Sequence, residues 1–223
     1  MIPLRDDIPS RRLPVVTWLL IAANAAVFLH ELSLGPAARS FILGLGIVPA
    51  RFAIDPGAGA QTLFSSMFIH GGWGHLLGNM LFLWIFGDNV EDRMGHVPFL
   101  FFYLAAGLAA GLTHIYTQVG SVVPTVGASG AVAGVLGAYF VLYPRARVLT
   151  LLPTFPMAVA EIPAVFFLGI WFVFQIFSGA LQLSIARGAG GVAFLAHVGG
   201  FLAGLAFGAL AARATGRPTR AGG

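Results

Sequence analysis

Ser129 and His197 each lie in an apolar run, within Gly127-Ala128-Ser129-Gly130 and Ala196-His197-Val198-Gly199-Gly200. Polar groups are costly in hydrocarbon, so both are candidate functional residues. A hydroxyl becomes a nucleophile when a neighbouring base takes its proton, and neutral imidazole suits that task near pH 7. A nucleophile and a base inside membrane-spanning segments point to hydrolysis within a bilayer. His75 and Asn79 are four residues apart, hence on one helix face, and both can donate to the same oxygen. The backbone N–H groups at the start of the helix that begins near Ser129 add donors, where the dipole favours negative charge. Asp88, Glu91 and Asp92 fall at the opposite membrane face, so no acid is placed to orient His197. The expectation is a Ser–His dyad, not a triad.

The elements that must hold these groups follow from composition. Of 223 residues, 58% are hydrophobic and 9% charged, whereas about a quarter of a soluble domain is charged. Six apolar runs, roughly 14–31, 70–88, 97–117, 125–143, 162–184 and 191–212, are each near the ~20 residues needed to cross a bilayer. They are continuous, not alternating, which favours helices over a barrel. The expected fold is all-α, a polytopic six-transmembrane-helix bundle. It comprises a cytoplasmic arm at 1–13, a membrane domain at 14–212 and a cytoplasmic tail at 213–223.

Cysteine is absent, which removes disulfides and thiolate chemistry. The net charge of +4 comes from a chain whose basic residues are all arginine. These do not form a nucleic-acid patch; they sort by topology. Arg5, Arg11, Arg12, Arg93, Arg145, Arg147, Arg213, Arg217 and Arg220 fall on one side, and Arg39, Arg51 and Arg187 on the other. The positive-inside rule then puts both termini in the cytoplasm. The first run reads as a retained signal anchor, because removing it would spoil this alternation.

With that topology, helices 2, 4 and 6 run from outside to inside. His75 and Asn79, Ser129 and His197 then all lie a few residues below the outer surface, at one depth. Gly130, Gly134 and Gly137 stripe helix 4, and Gly200, Gly204 and Gly208 stripe helix 6. Such ladders let backbones approach. The apolar first loop, 32–69, is expected to rest in the interface. The glycine-rich fifth loop at 187–191 is expected to be mobile.

Each residue also has a structural reading. A serine in an apolar helix most often bonds its own backbone, and Asn79 alone could be interhelical glue. Gly-Ala-Ser-Gly is not the soluble-hydrolase elbow, since Ala131 replaces its last glycine. His30, His96 and His114 read as helix-end residues satisfied by interfacial solvation, His70 as a structural bond under the first loop, and Glu91 with Arg93 as a surface charge pair. The shared depth argues for chemistry.

Four blocks carry a family resemblance: His70-Gly71-Gly72-Trp73-Gly74-His75-Leu76-Leu77-Gly78-Asn79, Gly87 with Glu91-Asp92-Arg93-Met94-Gly95, Gly127-Ala128-Ser129-Gly130, and Ala196-His197-Val198-Gly199-Gly200 with Gly204. In order and spacing, over roughly 62–208, the chain resembles the rhomboid intramembrane serine proteases of bacterial type. The resemblance implies Ser129 as nucleophile and His197 as base. It implies an oxyanion hole of His75, Asn79 and the Ser129 backbone N–H, and a cavity opening outward. It implies helix 5 as a side gate; Trp171 and Phe174, bulky and nearer the outer end of that inside-to-outside helix, are the expected gate side chains. Substrates would be single-pass or polytopic membrane proteins cut near the outer face, in a bacterial inner membrane, with no metal, cofactor or nucleic acid. The chain departs from the family where Ala133 replaces an aromatic that often stacks on the catalytic histidine, and where the first loop lacks a Trp-Arg pair.

Two other classes compete. A zinc enzyme could use His70, His75 and His197, but H-E-x-x-H is absent. A non-catalytic client binder or a transporter has no need of Ser129 and His197 together.

Overall fold

A computed structural model describes residues 1–185 and 192–215. The expected fifth-loop glycines at 188, 190 and 191, and most of the C-terminal tail, lie outside the described residues. Among those described, the six expected runs are helices: α1 (Val15–Ser33), α6 (Trp73–Met94), α7 (His96–Thr117), α8 (Ser129–Leu142), α9 (Ala164–Ile185) and α10 (Phe194–Thr215). Of these, α1, α7, α9 and α10 are long and apolar enough to cross a membrane unaided. The inner end of α6 carries Asp88, Glu91, Asp92 and Arg93.

The central helix, α8, has 14 residues, about 21 Å of rise against ~30 Å of hydrocarbon. It is shorter than the expected 125–143 because the chain enters it through Pro124 and through Gly127 at φ +123°. Every residue from Gly130 to Tyr139 is buried. A helix apolar all round belongs inside a bundle, and here neighbouring helices, not lipid, surround it. Its closest partner is α10, with α7 and α6 on its other sides. Phe86, Phe99, Tyr103, Leu136 and Tyr139 fill the core around it.

The first loop folds into short helices, α2 (Ala38–Leu45), α3 (Pro49–Ile54), α4 (Pro56–Ala60) and α5 (Thr62–Ser65). Ile47 exchanges two backbone hydrogen bonds with Thr125, at 2.9 and 2.8 Å, and the Gly127 N–H donates to the Ser66 carbonyl at 2.9 Å. This loop therefore braces the segment that leads into Ser129. His114 corrects its expected role: it is buried and lies 2.7 Å from Thr125 Oγ1, steadying the same segment. Glu91 is also no surface residue. It accepts the Val16 and Thr17 N–H groups at 2.9 and 2.8 Å and the Thr17 hydroxyl at 2.7 Å, capping α1.

The helical bundle also carries a small antiparallel sheet. Strand β1 (Ile2–Asp6) pairs with β2 (Arg147–Leu152), which pairs with β3 (Ala158–Pro163). The arm expected at 1–13 is thus tied to the loop between α8 and α9. Asp6 fixes it to the bundle, accepting from Tyr139 Oη on α8 and from Asn89 Nδ2 on α6, the latter at 2.9 Å.

Burial pushes the Asp6 carboxyl from 3.8 up to about 7; the Tyr139 bond opposes this, and Asp88 and Asp7 add to it. The docked strand therefore holds a proton that the undocked strand has lost. Docking is strongest below about pH 4, weakens as pH rises to about 7, and is flat above. With the base-catalysed intrinsic rate divided out, the amides of β1 are expected to be less protected at pH 8 than at pH 5, and Asp6→Asn should flatten that dependence. The opposite slope would mean that Asp6 is held charged.

Candidate active site

Ser129 is the first residue of α8, so its N–H is among those that a helix start leaves without an intrahelical carbonyl. His197 lies in the first turn of α10. Their approach is set by backbone packing: a Cβ added at Gly204 would lie 2.9 Å from the Gly134 Cα, and one added at Gly208 would lie 2.9 Å from the Ala138 Cα. Real Cβ atoms do not come so close, so the two glycine ladders mate as their spacing suggested. The result places Ser129 Oγ 2.8 Å from His197 Nε2.

His75 and Asn79, one turn apart on α6, face the turn before Ser129. A Cβ at Gly127 would sit 2.6 Å from His75 Nε2 and 3.6 Å from Asn79 Nδ2. Gly127 is therefore required twice, by its positive φ and by this approach. His70 is fully buried and, contrary to a role confined to the first loop, its Nε2 lies 3.0 Å from Asn79 Nδ2. The amide donates one hydrogen to that nitrogen and keeps the other for the cavity. His70 also meets His75 edge to face, with ring centroids 5.1 Å apart. His70, His75 and Asn79 form one connected cluster.

A cavity of about 640 Å³ joins them, lined by His75, Asn79, Ser129, Trp171, Gln175 and His197 among others. Gly74 and Gly78 of α6 also line it, and a Cβ at either would meet nothing within 4 Å. Phe167 of α9 closes on Phe82 and Phe86 of α6, with centroids 6.4 and 6.3 Å apart.

Two features of α9 escaped the sequence reading. Gln175 is buried, and its Oε1 lies 2.8 Å from His197 Nδ1. Trp171, expected at a gate, instead stacks on the His197 ring at 6.0 Å and 27°. It occupies the role that Ala133, buried beneath the cavity, cannot fill. Phe174 is 57% exposed and meets Phe194 edge to face at 6.2 Å. The signal for Gln175 was available: it is an amide midway along an apolar helix, the argument already applied to Asn79.

Comparison with known proteins places the chain in a family. The Rhomboid domain family matches residues 58–214. Rhomboid protein 1, mitochondrial, of Saccharomyces cerevisiae is 30% identical over 151 residues, 66% of this chain and 40% of that protein. Rhomboid protease GluP of Bacillus subtilis is 35% identical over 126 residues, 56% of this chain and 24% of its own length. RHOMBOID-like protein 5 of Arabidopsis thaliana is 29% identical over 162 residues, 58% and 52% respectively. The chain thus spans between about a quarter and about half of these relatives. With the matched region running from the first loop through α10 and taking in every cavity residue named above, this integral membrane protein belongs to the rhomboid family.

Proposed function

We propose that the chain is an intramembrane serine endopeptidase acting through a Ser129–His197 dyad. The observation that carries this is the 2.8 Å approach of Ser129 Oγ to His197 Nε2 at the cavity wall. Nε2 takes the hydroxyl proton as Oγ attacks the scissile carbonyl carbon. The oxyanion is met by the Ser129 N–H, the free Asn79 N–H and His75. The protonated imidazole then gives its proton to the leaving amine, and water cleaves the acyl-enzyme by the same steps reversed in role.

A zinc reading finds no free nitrogen on His197, and on His70 it finds only Nδ1 without a hydrogen-bond partner. Both nitrogens of His197 are engaged by Ser129 and Gln175, and Nε2 of His70 by Asn79. The substrate is a transmembrane segment of a membrane protein, which must unwind near the outer face to expose its carbonyl. The open space beside Gly74 and Gly78, above the Phe167 contact, supports lateral admission between α6 and α9. Phe174, on the exposed side of α9, is its gate side chain, and Trp171 forms the inner wall. The arginine distribution supports cytoplasmic termini in a bacterial inner membrane.

The test is labelling by a serine-reactive fluorophosphonate in detergent. Wild type is expected to label and Ser129→Ala not to; equal labelling of the two would overturn the dyad. Asn79→Ala is expected to lower kcat about 10–10³-fold with little change in KM, as loss of an oxyanion donor does. An unchanged kcat in steady-state cleavage would leave Asn79 as structural glue with His70.

A further inference from the structure

His197 has two ring partners besides Ser129, and both belong to α9. Gln175 contacts Nδ1 and Trp171 stacks on the ring face. They are four residues apart, one turn on the same helix face. The other side of that stretch, Val173, Phe174, Ile176 and Phe177, is exposed. A helix whose outer side is apolar and exposed thus carries, on its inner side, an amide aimed at the candidate base.

The chemistry of that amide decides the state of the imidazole. A carbonyl oxygen only accepts, so the 2.8 Å contact requires a proton on Nδ1. A neutral ring carries one proton, and Nε2 is then a bare acceptor facing Ser129 Oγ–H at 2.8 Å. Without the acceptor, the ring is free to hold its proton on Nε2, a tautomer that cannot deprotonate serine. After proton transfer, the carbonyl dipole still faces the Nδ1–H of the imidazolium. An amide does this without placing a buried negative charge beside the cavity, where desolvation would oppose one.

We propose that Gln175 is the positioning residue for His197 and that its placement with Trp171 on α9 makes the base competent only when α9 is seated against α10. The proposal rests on the Ser129–His197 reading above. It makes α9 a coupling element: displacement that widens the α6–α9 opening draws the acceptor and the stacking ring away from His197 together. A substrate can be admitted with the base slack, and chemistry follows when the helix returns.

The experiment uses the full chain in detergent micelles, with Gln175→Leu, which keeps bulk but has no acceptor, and Gln175→Glu, which restores an oxygen at the same reach. Three quantities are read: the rate of fluorophosphonate labelling, kcat and KM for a transmembrane substrate, and the ¹⁵N resonances of the His197 ring. Gln175→Leu is expected to lower labelling and kcat by about 10–100-fold, the scale of one lost hydrogen bond to a charged group in the transition state. KM should stay within about twofold, and the ring nitrogens should move from the Nδ1–H pattern to a mixture. Gln175→Glu should recover most of the labelling rate. Wild-type labelling and an unchanged tautomer pattern in Gln175→Leu would overturn the proposal. Should that variant fail to fold, the wild-type spectrum decides alone, since a neutral ring protonated on Nε2 overturns it equally. Failure of wild type to label, or labelling of Ser129→Ala, would instead overturn the dyad.

Discussion

Ser129→Ala and His197→Ala are each expected to remove cleavage of a transmembrane substrate, by roughly 10⁴–10⁶-fold, while the protein remains folded. The two side chains act as one unit across a 2.8 Å contact. Alanine at 129 leaves no nucleophile, and alanine at 197 leaves a hydroxyl whose proton has no acceptor. The double variant should therefore sit at the same floor as either single one, since removing one member already removes the function of the other. The folding controls differ. Ser129→Ala loses one hydrogen bond, about 1 kcal/mol. His197→Ala also strands the buried Gln175 amide and unstacks Trp171, which adds about 1–3 kcal/mol. Thermal unfolding in detergent should be measured beside turnover, and His197→Ala should be the less stable. Retained turnover in either purified, folded variant would sink the serine-protease reading.

The sequence exposed the site most clearly where polar groups interrupt hydrocarbon. Ser129, His197, His75 and Asn79 were singled out for that reason, and the structure brings all four to the wall of one cavity. The rise and pairing of the helices were legible too, because the glycine ladders at 130, 134 and 137 and at 200, 204 and 208 have a physical meaning only if backbones touch. What stayed hidden depends on distant partners. Ile2–Asp6 contains Pro3 and two charges and has no strand pattern of its own; it becomes a strand because β2, some 145 residues later, offers it an edge. Glu91 looked like a surface charge until the start of α1 supplied N–H groups for it. The ring support of His197 could not be read from α8, where Ala133 stands, because it comes from α9. Its residues Trp171 and Gln175 can be assigned an inner face only once the neighbours of α9 are known.

Gly200→Ala is expected to destabilise the protein and to lower kcat, although alanine is the better helix former. In an open helix position the exchange gains about 0.8–1 kcal/mol. Here the new Cβ would overlap the Gly130 carbonyl oxygen and stand 3.0 Å from its carbon. Neither is a side-chain atom that can rotate away, so the helices must separate, and overpacking of this kind costs about 1–3 kcal/mol. Because the clash is with backbone the packing penalty falls at the upper end of its range and wins, leaving a net loss of up to about 2 kcal/mol by the same two estimates. Gly204→Ala should behave alike, since its Cβ would overlap the Gly134 carbonyl. The activity loss has a more specific cause. Gly130 follows Ser129 and Gly200 lies one turn beyond His197, so a shift at this contact is passed directly to the 2.8 Å gap. A displacement of about 1 Å in such a pair lowers turnover about 10²-fold. Gly169→Ala on α9 is the control: a Cβ there meets nothing within 4 Å, so it should keep or slightly raise stability and leave kcat alone. Equal stability and turnover in Gly200→Ala and wild type would mean that α8 and α10 do not meet at backbone distance, and the close approach holding serine to histidine would need another source.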